Sequence, residues 1–369
     1  MTNNSISLYF HIPFCLKKCD YCAFFSIPNA NESQKAAYFE ALCRQVSFLP
    51  TDREIATIYF GGGTPPLLTV PRLIDLLDRV RKRAPLARDC EITIEINPKT
   101  IDFAGLSALK EAGFNRLSIG IQSTDNKVLS ALGRVHTFAE AEKCVHDARL
   151  AGFTNVSVDF IFALPYRENG IYSELLRIIA LNPDHISAYS LQLEEGTPLF
   201  ERAATLTLPD EDEEEQEYAT LCSLLAQHGY EHYEISSFAR GGKYSRHNMR
   251  YWTLGEYLGL GAGAHSFYQN RRFSAPCEIG AYIEKSALSL LAPTDYHLCP
   301  VISPDELAEE AIMLGLRTSN GAIIPEAKAE LALKLSSLGL GTYDPLTRRL
   351  TLNSRGFRVS NTVIADILC

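Results

Sequence analysis

His11-Ile12-Pro13-Phe14-Cys15-Leu16-Lys17-Lys18-Cys19-Asp20-Tyr21-Cys22 sets three cysteines in one short run, directly after the first apolar stretch of the chain. The spacing is C-x3-C-x2-C, with no fourth cysteine nearby. A structural zinc site closes four ligands around its ion, usually as pairs of C-x2-C. Three thiolates on a tight loop suit instead a 4Fe–4S cluster whose fourth iron stays open to a small molecule. Cys15, Cys19 and Cys22 are therefore candidate cluster ligands. The competing reading is three inert cysteines that happen to fall together, and the surrounding sequence decides against it.

The chain has 369 residues, 46% of them hydrophobic and 21% charged, which suits a soluble globular protein with a sizeable core. No stretch approaches the roughly 20 apolar residues of a membrane span. The start, Met1-Thr2-Asn3-Asn4-Ser5, lacks the basic region and apolar core of a secretion signal. Both point to the cytoplasm, where the ten cysteines stay reduced and bind metal rather than each other. Cys43, Cys90, Cys144, Cys222, Cys277, Cys299 and Cys369 lie far apart and read as small, mostly core residues. A net charge of −9 argues against a nucleic-acid-binding surface.

Short β-rich runs alternate with helical patterns through the first part of the chain. Candidate strands are Ser7–His11, Thr57–Phe60, Glu91–Ile96, Arg116–Ile121, Val156–Phe162 and His185–Leu191. Helix-period segments fall at 33–49, 70–84, 102–112, 137–151 and 170–181, and the acidic run from Asp210 opens one more that ends near Gly229. Apolar strands joined by helical crossovers imply parallel pairing, hence an α/β fold. Six such units make an incomplete (β/α)6 barrel, short of the eight that close a TIM barrel. In that layout reactive residues belong at the C-terminal ends of the strands. The cysteine loop, Gly61-Gly62-Gly63-Thr64-Pro65, Glu95, Gln122 and Asp159 all fall at or near such ends.

Three units follow: a barrel over 1–230, an irregular Gly-, Tyr- and His-rich module over 231–300, and a winged-helix-like α+β unit over 301–369. The last is expected as helices over Pro304–Leu316 and Glu326–Leu338, then strands around Arg348–Leu352 and Phe357–Ser360. Its arginines, Arg348, Arg349, Arg355 and Arg358, raise the question of DNA, but scattered basic residues on an acidic protein read as a solvated wing. The acidic run beginning at Asp210 reads as a solvated first helical turn.

The cysteine spacing resembles that of the radical S-adenosylmethionine (SAM) superfamily. In that family the amino and carboxylate groups of SAM chelate the open iron, and one electron from the cluster breaks the sulfonium bond. Together with Tyr9, Glu95, Gln122, Arg134 and Asp159, the chain resembles the HemN/HemW branch from about Leu8 to Ser360. The resemblance implies SAM contacts at Tyr9 and Tyr21 beside the cluster, at Gly62, Gly63 and Thr64, and at Glu95, Gln122, Arg134, Asp159 and Ile161. The residue types fit. Arg134 can fork onto a carboxylate, Glu95 and Asp159 can accept from ribose hydroxyls or an ammonium, and Gln122 can do both.

Two functions compete within the branch. One is oxygen-independent coproporphyrinogen III dehydrogenase, which decarboxylates two propionates oxidatively. The other is the HemW-type haem chaperone, which keeps the cluster and SAM site but passes haem to other proteins. The dehydrogenases carry a further cysteine two residues after the third, where this chain has Phe24, and a long extension where only 14 residues precede Cys15 here. His247-Asn248-Met249-Arg250-Tyr251-Trp252 matches the HNxxYW motif of the chaperones. There His247 is a candidate axial haem ligand, Tyr251 and Trp252 offer flat apolar faces, and Arg246 or Arg250 offers charge to propionates. His265, in Gly261-Ala262-Gly263-Ala264-His265-Ser266, is a second candidate. The resemblance implies haem as ligand, respiratory-chain haemoproteins as clients and a homodimer. Any membrane association is transient and not integral. A third class, a cluster-bearing DNA-binding regulator, is disfavoured by the acidic charge.

Overall fold

The first strand, β1 (Ser5–Ile12), shows how the sequence sorts itself. Ile6, Leu8, Phe10 and Ile12 point one way into the main hydrophobic core. Successive strand residues face opposite sides, so Ser5, Ser7, Tyr9 and His11 share the other face. The same alternation runs through β2 (Glu54–Gly62), β3 (Leu86–Ile96), β4 (Arg116–Gln122), β5 (Val156–Phe162) and β6 (His185–Ser190). Ile58 and Phe60, Ile92 and Ile94, Leu117 and Ile119, Val156 and Val158, and Ile186 all face the helices. Thr57 and Tyr59, Thr93 and Glu95, Arg116 and Ser118, Ser157 and Asp159, and His185 and Ser187 line a polar inner face. The helices α1 (Glu32–Val46), α2 (Val70–Arg83), α3 (Phe103–Glu111), the short α4 (Asn126–Ala131), α5 (Phe138–Leu150), α6 (Gly170–Ala180) and α7 (Glu211–Gln227) alternate with them. The computed structural model describes residues 5–167, 170–287 and 299–369.

The expected parallel order holds: β1, β2, β3, β4, β5 and β6 lie side by side, each parallel to the next. Of the irregular module expected over 231–300, residues 288–298 lie outside the described residues, and the rest is more regular than expected. It supplies β7 (Glu231–Glu234), β8 (Ser237–Ala239), β9 (Tyr257–Leu260), β10 (His265–Tyr268) and β11 (Arg271–Ser274) to both edges of the same sheet, which runs β11-β10-β9-β1-β2-β3-β4-β5-β6-β8-β7. β9 pairs parallel to β1, with Tyr9 opposite Gly259, and so adds a seventh parallel strand. These runs are three or four residues long, too short for a period to announce them, and only Tyr257–Leu260 and Ser237–Ala239 reach distant strands, β1 and β6. The helix α8 (Arg246–Trp252) lies between the two groups of edge strands in sequence.

A second hydrophobic cluster, including Leu316, Leu335, Tyr343, Leu350, Phe357 and Val363, forms the C-terminal unit. Its two expected helices are present at Pro304–Gly315 and Ala329–Ser337. Its sheet is not the expected one. Arg349–Leu352 pairs with Gly341–Asp344 and Ala322–Ile323, while Phe357 and Arg358 end one helix and Ser360 begins the next. Asn353 caps the first of these by accepting from the Gly356 N–H, which turns the chain away from extended structure. Asp344 takes the Leu346 N–H and the Thr347 hydroxyl, closing the hairpin ahead of it.

The acidic run of α7 is more than a solvated face. Asp210 and Glu213 form a capping box. Arg358 reaches across from the C-terminal unit to Glu214 and Glu215. Glu217 joins a buried network: Arg167 donates to Glu174 and Glu217 at 2.7 Å each and to the Ile161 carbonyl at 3.1 Å. Glu174 also takes the Ser123 hydroxyl and the Thr124 N–H. The network therefore fixes the loops that leave β4 and β5. Truncating Arg167 leaves the almost fully buried Glu174 uncompensated. Arg167→Ala should destabilise the fold by about 3–5 kcal/mol, read as a fall in denaturation midpoint. A loss below about 1 kcal/mol would mean that water replaces the arginine.

Candidate functional site

The cysteine loop leaves the C-terminal end of β1 and is pinned at its root. Ile27 N–H donates to the Pro13 carbonyl at 2.7 Å, and Asn29 N–H to the Cys15 carbonyl at 3.2 Å. Cys15, Cys19 and Cys22 are free thiols, all half-buried. Burial pushes the Cys15 and Cys22 thiols up, so in the metal-free chain they hold their protons, which iron would displace. The Thr64 hydroxyl stands 3.9 Å from the Cys15 sulfur, and Arg134 Nη1 donates to the Cys19 sulfur at 3.5 Å. Among the described residues no three His, Cys, Asp or Glu side chains converge on a single ion. A 4Fe–4S cluster asks for a different arrangement, because each thiolate meets its own iron.

Gly61, Gly62 and Gly63 end β2 directly against this root, and the close approach explains their identity. A Cβ on Gly61 would stand 2.9 Å from the Glu95 carboxylate, one on Gly62 2.6 Å from the His11 ring, and one on Gly63 2.7 Å from the Phe14 carbonyl. Gly62 also has φ +110°, a conformation that side chains disfavour. The turn's amides are all in use. Gly62 N–H donates to Glu95 Oε2 at 3.0 Å, Gly63 N–H to the Ile12 carbonyl and Thr64 N–H to the Phe14 carbonyl. What the turn leaves open is the Gly63 carbonyl, which accepts no hydrogen bond among the described residues. A carbonyl suits an ammonium.

Glu95 accepts from the Tyr59 hydroxyl at 2.8 Å as well as from Gly62, yet burial still raises its carboxyl to about 7. Burial also raises Asp159, which takes the Ser118 hydroxyl at 3.2 Å. Arg134 spends one arm on Cys19 and one on the Gly120 carbonyl at 2.6 Å, while its buried Nε has no partner. Such an orphaned donor beside two costly carboxylates fits a polar ligand that is still to be supplied. Gln122 sits at φ +70° at the end of β4, a strained backbone for a glutamine. Ile161 packs with Val128, Leu132, Leu164 and Leu199 against Tyr21, forming an apolar wall. Tyr9 bonds His11 Nδ1 at 3.0 Å and stands over Tyr59 with ring centres 6.1 Å apart. The residues expected at the SAM site thus gather at one end of the sheet, beside the cysteine loop. His11, Tyr59 and Ser118, which orient them, escaped the sequence reading, although period-2 alternation places each on the inner face.

The HNxxYW segment lies directly beneath that site, with the His247 ring centre 5.0 Å from that of Tyr59 and 6.4 Å from that of Tyr9. It is α8, which meets the opposite, N-terminal ends of the strands, where Glu91 accepts the N–H groups of Arg246 and His247. His247 is 1% exposed, with Nδ1 against the Thr57 hydroxyl at 2.7 Å and Nε2 against the Tyr251 hydroxyl at 2.8 Å. Burial holds it neutral, with its pKa lowered to about 3. A nitrogen for iron would be gained only by breaking one of these bonds. Arg250 is likewise committed, to the Ser5 and Glu256 carbonyls, and Arg246 to Asp89. In this fold the motif plugs the polar inner face from below. His265, by contrast, is exposed at the end of the sheet that carries the cysteines. A cleft of about 830 Å³, lined in part by Lys127, Leu164, Tyr166 and Glu213, includes none of the assigned cluster or SAM residues.

A family model for the radical SAM superfamily matches residues 9–176. The haem chaperone HemW of Lactococcus lactis is 32% identical across 98% of this chain and 97% of its own length. The haem chaperone HemW of Escherichia coli is 39% identical across 70% of this chain and 69% of its own. A mouse mitochondrial protein named for its radical SAM domain is 35% identical across 85% of this chain and 74% of its own. Among solved structures, the coproporphyrinogen III oxidase HemN of Escherichia coli covers 98% of this chain at a TM-score of 0.81, and 89% of that chain is matched. At 22% identity that likeness speaks for the fold alone. A C-x3-C-x2-C loop at the end of β1, a glycine turn at the end of β2, and similarity along the whole chain agree: the protein belongs to the HemW family of the radical SAM superfamily.

Proposed function

We propose that this protein binds a 4Fe–4S cluster through Cys15, Cys19 and Cys22, holds SAM beside it, and carries haem to acceptor haemoproteins. The observation that supports the haem reading is the similarity, at nearly full length, to a haem chaperone. Phe24, 71% exposed, supplies an apolar side chain where the family's dehydrogenases have a further thiol. The clients by resemblance are respiratory-chain haemoproteins, with a homodimer as the assembly and the cytoplasm as the compartment. Among the described residues no helix is long and apolar enough to cross a membrane.

The bound cluster supplies one-electron chemistry to SAM at its open iron. The chain's own groups position that SAM. The Gly63 carbonyl and Glu95 suit the ammonium, Arg134 Nε suits the carboxylate, Gln122 and Asp159 suit ribose hydroxyls, and Tyr9, Tyr21 and Ile161 exclude water.

Removing Arg134 deletes a charged donor worth about 2–3 kcal/mol. Arg134→Ala should therefore weaken SAM binding about 30- to 150-fold in equilibrium dialysis of the reconstituted protein. Unchanged affinity at equal iron content would place SAM elsewhere.

Glu95 must be ionised to accept from SAM in either role, and its pKa in the free protein is raised to about 7. SAM affinity should thus rise roughly eightfold between pH 6 and 7.5. The Glu95→Gln variant should lose that slope. An identical slope in the variant would remove Glu95 from the site.

For the function itself, reconstituted protein with SAM and a reductant should leave coproporphyrinogen III unconverted while hemin titration gives a saturable Soret band. Robust protoporphyrinogen formation would establish the dehydrogenase instead.

A further inference from the structure

We propose that His265, rather than His247, is the axial ligand through which the chain holds haem iron, at a rim site shared with Phe24, Phe25 and Cys277; this rests on the haem-carrier reading above. β10 begins at His265 and runs antiparallel to β9, with Tyr257 opposite Phe267. Strand alternation places His265 and Phe267 on the same face as Tyr257, Gly259 and Tyr9. Because β9 is parallel to β1, His265 stands at the end where β1 runs into the cysteine loop.

Two glycines press the 261–264 turn against that loop. A Cβ on Gly261 (φ +112°) would lie 2.5 Å from the His11 carbonyl. The Cβ position of Gly263 lies 3.6 Å from the Phe25 ring and 3.5 Å from the Cys277 sulfur. His11 Nε2 in turn bonds the Phe25 carbonyl at 3.0 Å. Cys277 is brought in by the Gly263 N–H on the Pro276 carbonyl and the Ala275 N–H on the Ala264 carbonyl, both 2.9 Å. His265, its cross-strand partner Ser274, Cys277 and Phe24 are all exposed.

The chemistry suits a ferric or ferrous porphyrin. An imidazole whose nitrogens are open can bind iron axially. His265 has no hydrogen-bond partner among the described residues, whereas His11, His136, His185, His232 and His247 all spend ring nitrogens inside the protein. His146 and His228 belong to the helix layer. Phe24, next to the Phe25 that packs at Gly263, is a large aromatic left in water, and a flat apolar ring is what a porphyrin face covers. Lys17 and Lys18, exposed on the same loop, offer charge to propionates.

The test is hemin titration of the full-length protein and its variants, followed by the Soret and visible bands in both oxidation states. His265→Ala should lose the ligated band and weaken hemin binding by about tenfold or more. His265→Gly should regain the band when free imidazole is added, a rescue that a packing role would not give. Phe24→Ser should weaken binding several-fold without moving the band, and Cys277→Ser and His247→Ala should leave the band in place. Loss of the band in Cys277→Ser or His247→Ala, with His265→Ala spectrally like the parent, would overturn the assignment while leaving the carrier reading intact. A parent protein that gives no saturable hemin spectrum would end the carrier reading and this assignment with it.

Discussion

Everything at the candidate site depends on how closely β2 can approach the root of the cysteine loop. Three consecutive glycines allow the contact, since a Cβ at any of them would drive into Glu95, His11 or the Phe14 carbonyl. The hydrogen bond from Gly62 N–H to Glu95 then ties the turn to β3. Gly63 and Thr64 donate back to the carbonyls of Ile12 and Phe14, on either side of the strand–loop junction. One turn therefore sets the positions of the thiols, of a buried carboxylate and of an open carbonyl. A side chain at Gly62 would separate these groups as well as strain the backbone.

A second layer of organisation is the division of each strand into an aliphatic and a polar face. The aliphatic face binds the helices and holds the fold together. The polar face would be costly to bury without partners. Much of it is satisfied internally: Thr57 by Ser7 and His247, Glu91 by the start of α8, His185 by Ser157 and Tyr233. The exceptions concentrate at and below the site, where Arg134 Nε, Arg116 Nε and Thr93 Oγ1 lack partners and Glu95 and Asp159 resist ionisation. The lower half of the inner face is closed by α8 and, apart from Arg116 Nε and Thr93 Oγ1, satisfied within the protein. The upper half is where the proposed SAM and cluster would complete it.

That division explains what was legible in the sequence. The six expected strands lie where their apolar alternation put them, with Val156–Phe162 matched end to end and His185–Leu191 within one residue. The placing of Glu95, Gln122 and Asp159 at or near strand ends was legible because they sit on regular elements. Edge strands of three or four residues were not, since runs that short carry no readable alternation. Phe357 looked like a strand residue, but the Asn353 cap makes it helical. The HNxxYW motif was recognisable as a motif, but the engagement of both His247 ring nitrogens was not. No sequence pattern reveals that Thr57, fixed 190 positions earlier, holds the imidazole nitrogen. Arg167, Glu174 and Glu217 likewise come together only through folding, and the acidic run of which Glu217 is the tail suggested only a wet surface.

The central claim is that the cysteine loop, the glycine turn and Arg134 form one site in which SAM meets the open iron of a cluster. Electron paramagnetic resonance of the anaerobically reconstituted, reduced protein tests it most directly. A 4Fe–4S signal should appear and should change on addition of SAM, because a ligand on the open iron alters its electronic environment. A signal indifferent to saturating SAM, or a protein that takes up stoichiometric zinc and no iron, would contradict the account.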